Sequence, residues 1–294
     1  MLGGILNIYK TVGTISHDLV EHVRRVLSEK AGHTGTLDPF ARGVILVCWG
    51  EATRLTALFQ DLPKTYRAVI RFGISTDTYD VQGKVTRFSE QPLSRETLVE
   101  VASHFQGRMI QTIPPFSATK FLGHPLYWYA RRGETTPILK KEIIIQELTI
   151  QRIEAGLFPE MEIVVECSSG TYIRSIAHEM GEAVGTGAFL ASLRRERVGQ
   201  YSIEESVDVQ RPGVDRENLL HHSIPPGEAL YWIPALPVEE SDIRKLRQGA
   251  FLPFPENMPV ESGQILKVMQ DQQFIGLVRA DGEKKMFKPQ IMYL

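Results

Sequence analysis

Gly32-His33-Thr34-Gly35-Thr36-Leu37-Asp38-Pro39-Phe40-Ala41-Arg42-Gly43 runs directly into Val44-Ile45-Leu46-Val47-Cys48-Trp49. The first twelve residues follow neither a helical nor a strand period, so they read as a loop with specified turns. The six that follow are too uniformly apolar for a half-exposed strand and read as a buried one. The glycines suit turns that need φ > 0 or close approach of another backbone, and Pro39 fixes the chain just after Asp38. A carboxylate in so constrained a loop, held between a helix and a buried strand, marks a candidate site.

Toward the N-terminus, Ile5–Tyr9 reads as a strand. Ser16 reads as the N-cap of a helix to residue 29, with the stripe Leu19, Val20, Val23, Val26 and Leu27. Beyond the buried strand, a short helix through Ala52, Leu55, Leu58 and Phe59 leads to the alternating strand Lys64–Phe72. Tyr66, Ala68, Ile70 and Phe72 share one face of that strand. A second helix spans roughly Ser94–Phe105, and Pro125 suits the first position of a short helix. Runs at about 142–154 and 160–167 are rich in β-branched residues and predict strands. Ser168–Gly181 is a strand-to-helix junction in which Ile173, Ile176, Ala177 and Met180 face a core and leave Arg174 off the stripe. Leu190–Ile203 reads as a strand pair.

Composition shifts over Arg211-Pro212-Gly213 and Ile224-Pro225-Pro226-Gly227, which predicts a unit over 1–228 and a smaller one over 229–294. The smaller unit offers a helix from Glu239 to Gln248, stopped by Gly249, and short strands near Gln264–Met269, Phe274–Arg279 and Lys285–Phe287. Strands interleaved with helices predict an α+β first unit, and the tail predicts a small β-barrel.

No apolar run approaches the roughly 18 residues of a spanning helix. The first ten residues lack the basic start and small-residue cleavage site of a secretory signal, so the cytoplasm is the expected location. Cys48 and Cys167 sit in apolar runs and read as buried free thiols rather than a disulfide or a metal site. There is no His-Glu-x-x-His, no Cys-x-x-Cys, no Gly-Lys-Ser/Thr and no Gly-x-Ser-x-Gly. A carboxylate in a Gly/Pro loop, an arginine at a helix start and several aromatics remain. That set suits chemistry without metal or cofactor on a planar or sugar-like substrate. The net charge of −2 argues weakly against a nucleic-acid partner, but the basic residues bunch, for example at Arg131-Arg132 and Arg194-Arg195.

Gly32–Pro39 followed by Ala41 and Gly43 resembles the signature of the TruB family, the bacterial tRNA pseudouridine-55 synthases. Further motifs resemble the family in its order and spacing: Lys64-x-Tyr66-Arg67, Thr76-Asp77-Thr78-x-Asp80-x-x-Gly83 and Pro114-Pro115-x-x-Ser117-Ala118-x-Lys120. Gly123-x-Pro125-Leu126-Tyr127-x-Tyr129-Ala130-Arg131-x-Gly133, Gly170-Thr171-Tyr172-Ile173-Arg174 and Leu193-Arg194-Arg195 complete the series. The chain departs from the family at Lys10-Thr11-Val12-Gly13, where a proline usually follows the lysine. The match of the tail to a PUA-like domain is looser, resting on Leu236-Pro237 and Leu246-Arg247-x-Gly249.

The resemblance implies a pseudouridine synthase fold, a central mixed and largely antiparallel sheet with flanking helices and loops, plus a C-terminal PUA-like RNA-binding domain. It implies an isomerase that flips uridine 55 out of the T loop of tRNA, detaches the uracil and rejoins it through C5. By the same resemblance Asp38 is the catalytic carboxylate, Arg174 its charged partner and Tyr66 the ring that stacks on the flipped base. His33 would address the RNA, with Lys64, Lys120, Arg131 and Arg194 as phosphate contacts and Tyr172 and Leu193 lining the RNA-binding pocket. Asp77 and Asp80 would shape the loop or line the pocket. The implied partner is the tRNA T-stem-loop, bound by a monomer with no obligate protein partner. Two other classes compete. A non-catalytic tRNA-binding or folding module needs no carboxylate beside RNA phosphates. A glycosidase pairing Asp38 with Asp77 or Asp80 needs a second, equally constrained carboxylate.

Overall fold

The computed structural model describes residues 3–255 and 258–293. The chain begins β1 (Gly4–Lys10), α1 (Ser16–Leu27), β2 (Ala31–His33), β3 (Arg42–Trp49), a 3₁₀ turn over Gly50–Leu55, α2 (Thr56–Gln60) and β4 (Lys64–Phe72). The hairpin β5 (Ile74–Thr76) and β6 (Val85–Phe88), α3 (Arg95–Ser103) and β7 (Gly107–Thr112) follow. An excursion carries the short strands β8 (Lys120–Phe121) and β9 (His124–Pro125) and the helix α4 (Leu126–Arg131). The chain returns through β10 (Lys140–Glu154), β11 (Glu160–Cys167), α5 (Ile173–Ala183), β12 (Ala188–Val198), β13 (Tyr201–Ser202), α6 (Arg216–His221) and α7 (Pro226–Ala229). The last part holds β14 (Ala235–Pro237), α8 (Glu240–Arg247), β15 (Leu252–Pro253), β16 (Ile265–Gln270), β17 (Gln273–Asp281) and β18 (Met286–Met292).

The main sheet runs β1-β3-β12-β4-β11-β10-β7, with β2 on β3 and β13 on β12. Its pairings are antiparallel except β12 with β3, so the sheet is mixed and largely antiparallel, as expected. β3 is apolar from Val44 onward because both its faces are covered there. Val44, Leu46 and Cys48 pack with Phe59, Leu62 and Tyr201, whereas Ile45, Val47 and Trp49 meet Leu19, Val20, Val23 and Leu27 of α1. On β4, Tyr66, Ala68, Ile70 and Phe72 face the core formed with Leu98 and Val101 of α3 and Ile176 and Met180 of α5.

The second sheet, β14-β16-β17-β18-β15, curls over Leu236, Ile243, Leu246, Leu266, Val268 and Phe287 and is PUA-like. Ala229, Leu230 and Ile233 share a cluster with Ile5 and Val44 of the main sheet, with Phe274 and Leu277 of the second, and with Tyr293 just after β18. Among the described residues no helix is long and apolar enough to cross a membrane. Cys48 and Cys167 are buried free thiols, and burial pushes both up to about 12.

Local readings change where tertiary partners intervene. Gly32 and His33 form β2 against β3 rather than belonging to the loop. Ile15, not Ser16, occupies the N-cap of α1, because the Ser16 hydroxyl is taken by Leu37. Pro125 caps α4 in an extended conformation instead of entering it. Of the loop glycines, only Gly43 needs to be one. It has φ 112, and a Cβ there would lie 2.2 Å from the Arg195 carbonyl oxygen, where β12 and β3 run parallel. Gly32 has nothing within 4 Å, and Gly35 meets only the tip of Arg195 at 3.8 Å. In the tail, the strands extend beyond the expected ranges, to Asp281 and Met292, and β14 and β15 join them.

Candidate active site

The segment between β2 and β3 is irregular, yet its carbonyls are not left to solvent. The Arg195 guanidinium donates to the carbonyls of Gly35 (3.1 Å), Thr36 (3.5 Å) and Val44 (2.6 Å). The Ser16 hydroxyl serves Leu37, and the Lys10 ammonium donates to Pro39 (3.4 Å) and Ala41 (2.6 Å). All three side chains are buried and come from α1, β1 and β12. Asp38 opens a turn closed by the Ala41 amide donating to its carbonyl at 3.0 Å, with Pro39 in the second position that favours proline. Backbone demand is thus met from behind, and the Asp38 side chain stays one-third exposed.

That side chain meets Arg174, in the first turn of α5. The Arg174 Nε lies 3.0 Å from Oδ2 without hydrogen-bond alignment, and its Nη2 donates to Oδ1 at 3.3 Å. Arg174 is only 5% exposed, although a helix N-terminus disfavours a cation. Its other contacts offset this: it donates to the carbonyls of Thr78 (3.1 Å) and Phe116 (3.0 Å) and lies 3.6 Å from Asp80 Oδ2. Asp80 is itself buried and accepts from the Thr78 hydroxyl (2.7 Å) and the Gln82 amide (2.9 Å). Burial pushes its pKa up against the pull of Thr78 and Arg174.

Asp38, Arg174, Tyr66, Tyr172, Leu193 and Arg131 all line one cavity of about 810 Å³, as do Asp80 and Arg195. Tyr66 is 8% exposed, and burial raises its hydroxyl pKa. The Tyr172 hydroxyl bonds the Thr119 hydroxyl at 2.9 Å, and its backbone N–H and C=O are both held by the buried Gln111 amide. Arg131 lies over the Tyr127 ring within α4 of the excursion.

The structure does not bring every expected RNA contact to this cavity. Lys64 lines it, but its ammonium is buried and donates to the carbonyls of Leu62 (2.5 Å) and Gln60, and burial pulls it down to about 8. It braces the wall instead of reaching for a phosphate. Arg194 points to the opposite face of β12 and pairs with Glu196 at 2.5 Å. His33 and Lys120 lie outside the lining; His33 is half-buried on β2, where desolvation and then Arg195 lower its pKa, and Lys120 is exposed on β8. Among the described residues no group of three or more His, Cys, Asp or Glu side chains is placed to hold a metal ion.

Three contributors escape a residue-by-residue reading. Asp80 is a direct partner of Arg174, not only a loop former. Arg195 was readable by alternation, because Leu193 and Arg195 share the inward face of β12 while Arg194 faces out. Lys10 gives no such signal, since its partners are carbonyls 29 and 31 residues away.

Residues 24–173 match the N-terminal domain of the TruB family of pseudouridylate synthases. The chain is 36% identical to tRNA pseudouridine synthase B of Aquifex aeolicus over 282 residues, 96% of each protein. It is 33% identical to the enzyme of that name from Pasteurella multocida, over 98% of this chain and 94% of the relative. Against the protein of that name from Clostridium kluyveri it is 38% identical, over 84% of each. Its fold is similar to a chain in the archaeal box H/ACA sRNP Nop10-Cbf5 complex, with a TM-score of 0.72 and 22% identity, covering 99% of this chain and 86% of that one.

Proposed function

The chain belongs to the TruB family of pseudouridylate synthases, and from that premise we propose that it isomerises uridine 55 in the T loop of tRNA with Asp38 as the catalytic carboxylate. The carrying observation is the Asp38–Arg174 pair at 3.0 Å: one partly exposed carboxylate facing a cavity, backed by a buried guanidinium that three other groups hold in place. A cavity of about 810 Å³ is ample for a nucleotide turned out of its stack, a displacement such chemistry requires.

In this reading Arg174 orients the Asp38 carboxylate beside the ribose, where the carboxylate assists cleavage of the N1–C1′ bond. The detached uracil turns against the Tyr66 ring and rejoins C1′ through C5. C5 loses its proton and N1 ends with one, so the reaction is a pure isomerisation that consumes nothing. Tyr172 and Leu193 would wall the base pocket, and Arg131 would reach it from the excursion that carries α4. His33 and Lys120, which do not line the cavity, would meet the RNA beyond it. The curled tail over 229–294 would grip the same tRNA. The enzyme would act in the cytoplasm as a single chain.

Release of tritium from 5-tritiated uridine in a T-stem-loop RNA tests this. Wild type should release the label and Asp38→Asn should release none while still binding the RNA. Full turnover by Asp38→Asn would remove the proposal.

A further inference from the structure

α5 presents a second residue to the loop that holds Arg174. His178 stands four positions after Arg174, one turn along the same helix face. Its ring stacks on Tyr79 with centroids 3.8 Å apart and planes 4° from parallel. Tyr79 separates the two loop groups that touch Arg174, the Thr78 carbonyl and the Asp80 carboxylate. It does so at φ 64, a conformation that a bulky aromatic residue rarely adopts. The left-handed turn lets residues 78 and 80 face the guanidinium while the ring between them lies on His178.

The backbone of this crest is tied to β12 by Leu190, which donates to the Tyr79 carbonyl (3.0 Å) and accepts from Val81 (3.1 Å). It is wound tightly, since a Cβ on Gly83 would meet Thr78 Oγ1 at 2.3 Å. No side-chain bond ties the crest to His178: its buried Nδ1 has no hydrogen-bond partner. The imidazole is therefore held to the loop by its face.

We propose that the Tyr79–His178 stack is a positioning device, which locks Thr78 and Asp80 against Arg174 and so sets the Arg174–Asp38 pair for reaction. This rests on the role given above to Asp38 and Arg174. Neither ring lines the cavity, so the stack acts through Arg174 and not on the RNA.

The test compares kcat and KM for tritium release by Tyr79→Ala, His178→Ala, His178→Leu, Tyr79→Phe and His178→Phe, with Asp38→Asn alongside. Stacks of this kind carry enough energy that the Ala and Leu variants should lose about tenfold in kcat with KM unchanged. The Phe variants, which keep a flat face, should restore kcat. His178→Leu fills the volume without an aromatic face, so it separates stacking from packing if an Ala variant does not fold. Wild-type kcat in His178→Leu, or equal losses in the Leu and Phe variants, overturns the proposal. A loss confined to KM overturns it too. An inactive Asp38→Asn beside a fully active His178→Leu removes the stack alone, whereas an active Asp38→Asn removes the functional reading beneath it.

Discussion

Ser16 and Leu37 are joined twice: the Ser16 hydroxyl accepts from the Leu37 amide at 3.0 Å and donates to the Leu37 carbonyl at 3.0 Å. Both residues are buried, so neither backbone group has water as a substitute. The residue so clamped immediately precedes Asp38. Ser16→Ala leaves two buried polar groups unmet and should cost about 2 kcal/mol of unfolding free energy. It should also lower kcat more than it raises KM, because the carboxylate loses its fixed neighbour. Thermal melting and tritium release check the two parts, and an unchanged Tm would contradict the first.

Arg174 neutralises Asp80 as well as Asp38, and that gives its removal a stability cost separable from catalysis. Arg174→Met strands the Asp80 carboxylate at 4% exposure, which should destabilise the fold by about 3 kcal/mol. Adding Asp80→Asn removes the stranded charge and should recover most of that loss in denaturant unfolding. Turnover should stay absent in the double variant, because Asp38 still lacks its partner. Additive stability losses would show that the two side chains do not interact.

The sequence made the architecture legible wherever one period governed a segment. The apolar run of β3, the alternation of β4 and the stripe of α1 each follow from a burial pattern local to the element. The site was legible at Asp38, Arg174 and Tyr66 through family motifs, and the cavity brings those three segments together. What sequence could not supply was the support behind the loop. Ser16 looks like a helix cap because local capping is the ordinary use of a serine there, yet a carbonyl and amide 21 residues away take its hydroxyl. Lys10 ends a strand like many exposed lysines, and only the fold carries Pro39 and Ala41 to its ammonium. Lys64 fails in the opposite sense, for the inward alternation of β4 buries it beside Tyr66.

Gly43 separates two reasons for having glycine in the loop. At φ 112, with the Arg195 carbonyl 2.2 Å from an added Cβ, Gly43→Ala must push β3 away from β12. Strain at such a position is on the order of 1–3 kcal/mol before any clash is counted, so a loss above that range is expected. Gly32→Ala has open space and no positive φ, and should leave stability unchanged or slightly raised. Melting curves of the two variants should therefore diverge, and similar Tm values would refute the parallel β12–β3 register.

Lys10 ties stability to alkaline pH. Burial lowers its pKa to about 8 from the model-peptide value of 10.5, with Asp38 opposing the shift and Arg195 adding to it. Between those two pH values the unfolded chain binds more protons at this site than the folded one, so the Lys10 contribution to stability rises with pH across that window. Below about 8 both states are protonated and the burial penalty stands in full. Cys48 and Cys167 work in the other direction at higher pH, since their raised values make the folded state the better proton binder above pH 9. The unfolding free energy of wild type minus that of Lys10→Met cancels the cysteines. That difference should climb from pH 8 to 10.5, and a flat or falling difference in denaturant titrations would show that the ammonium is not desolvated behind the Asp38 loop.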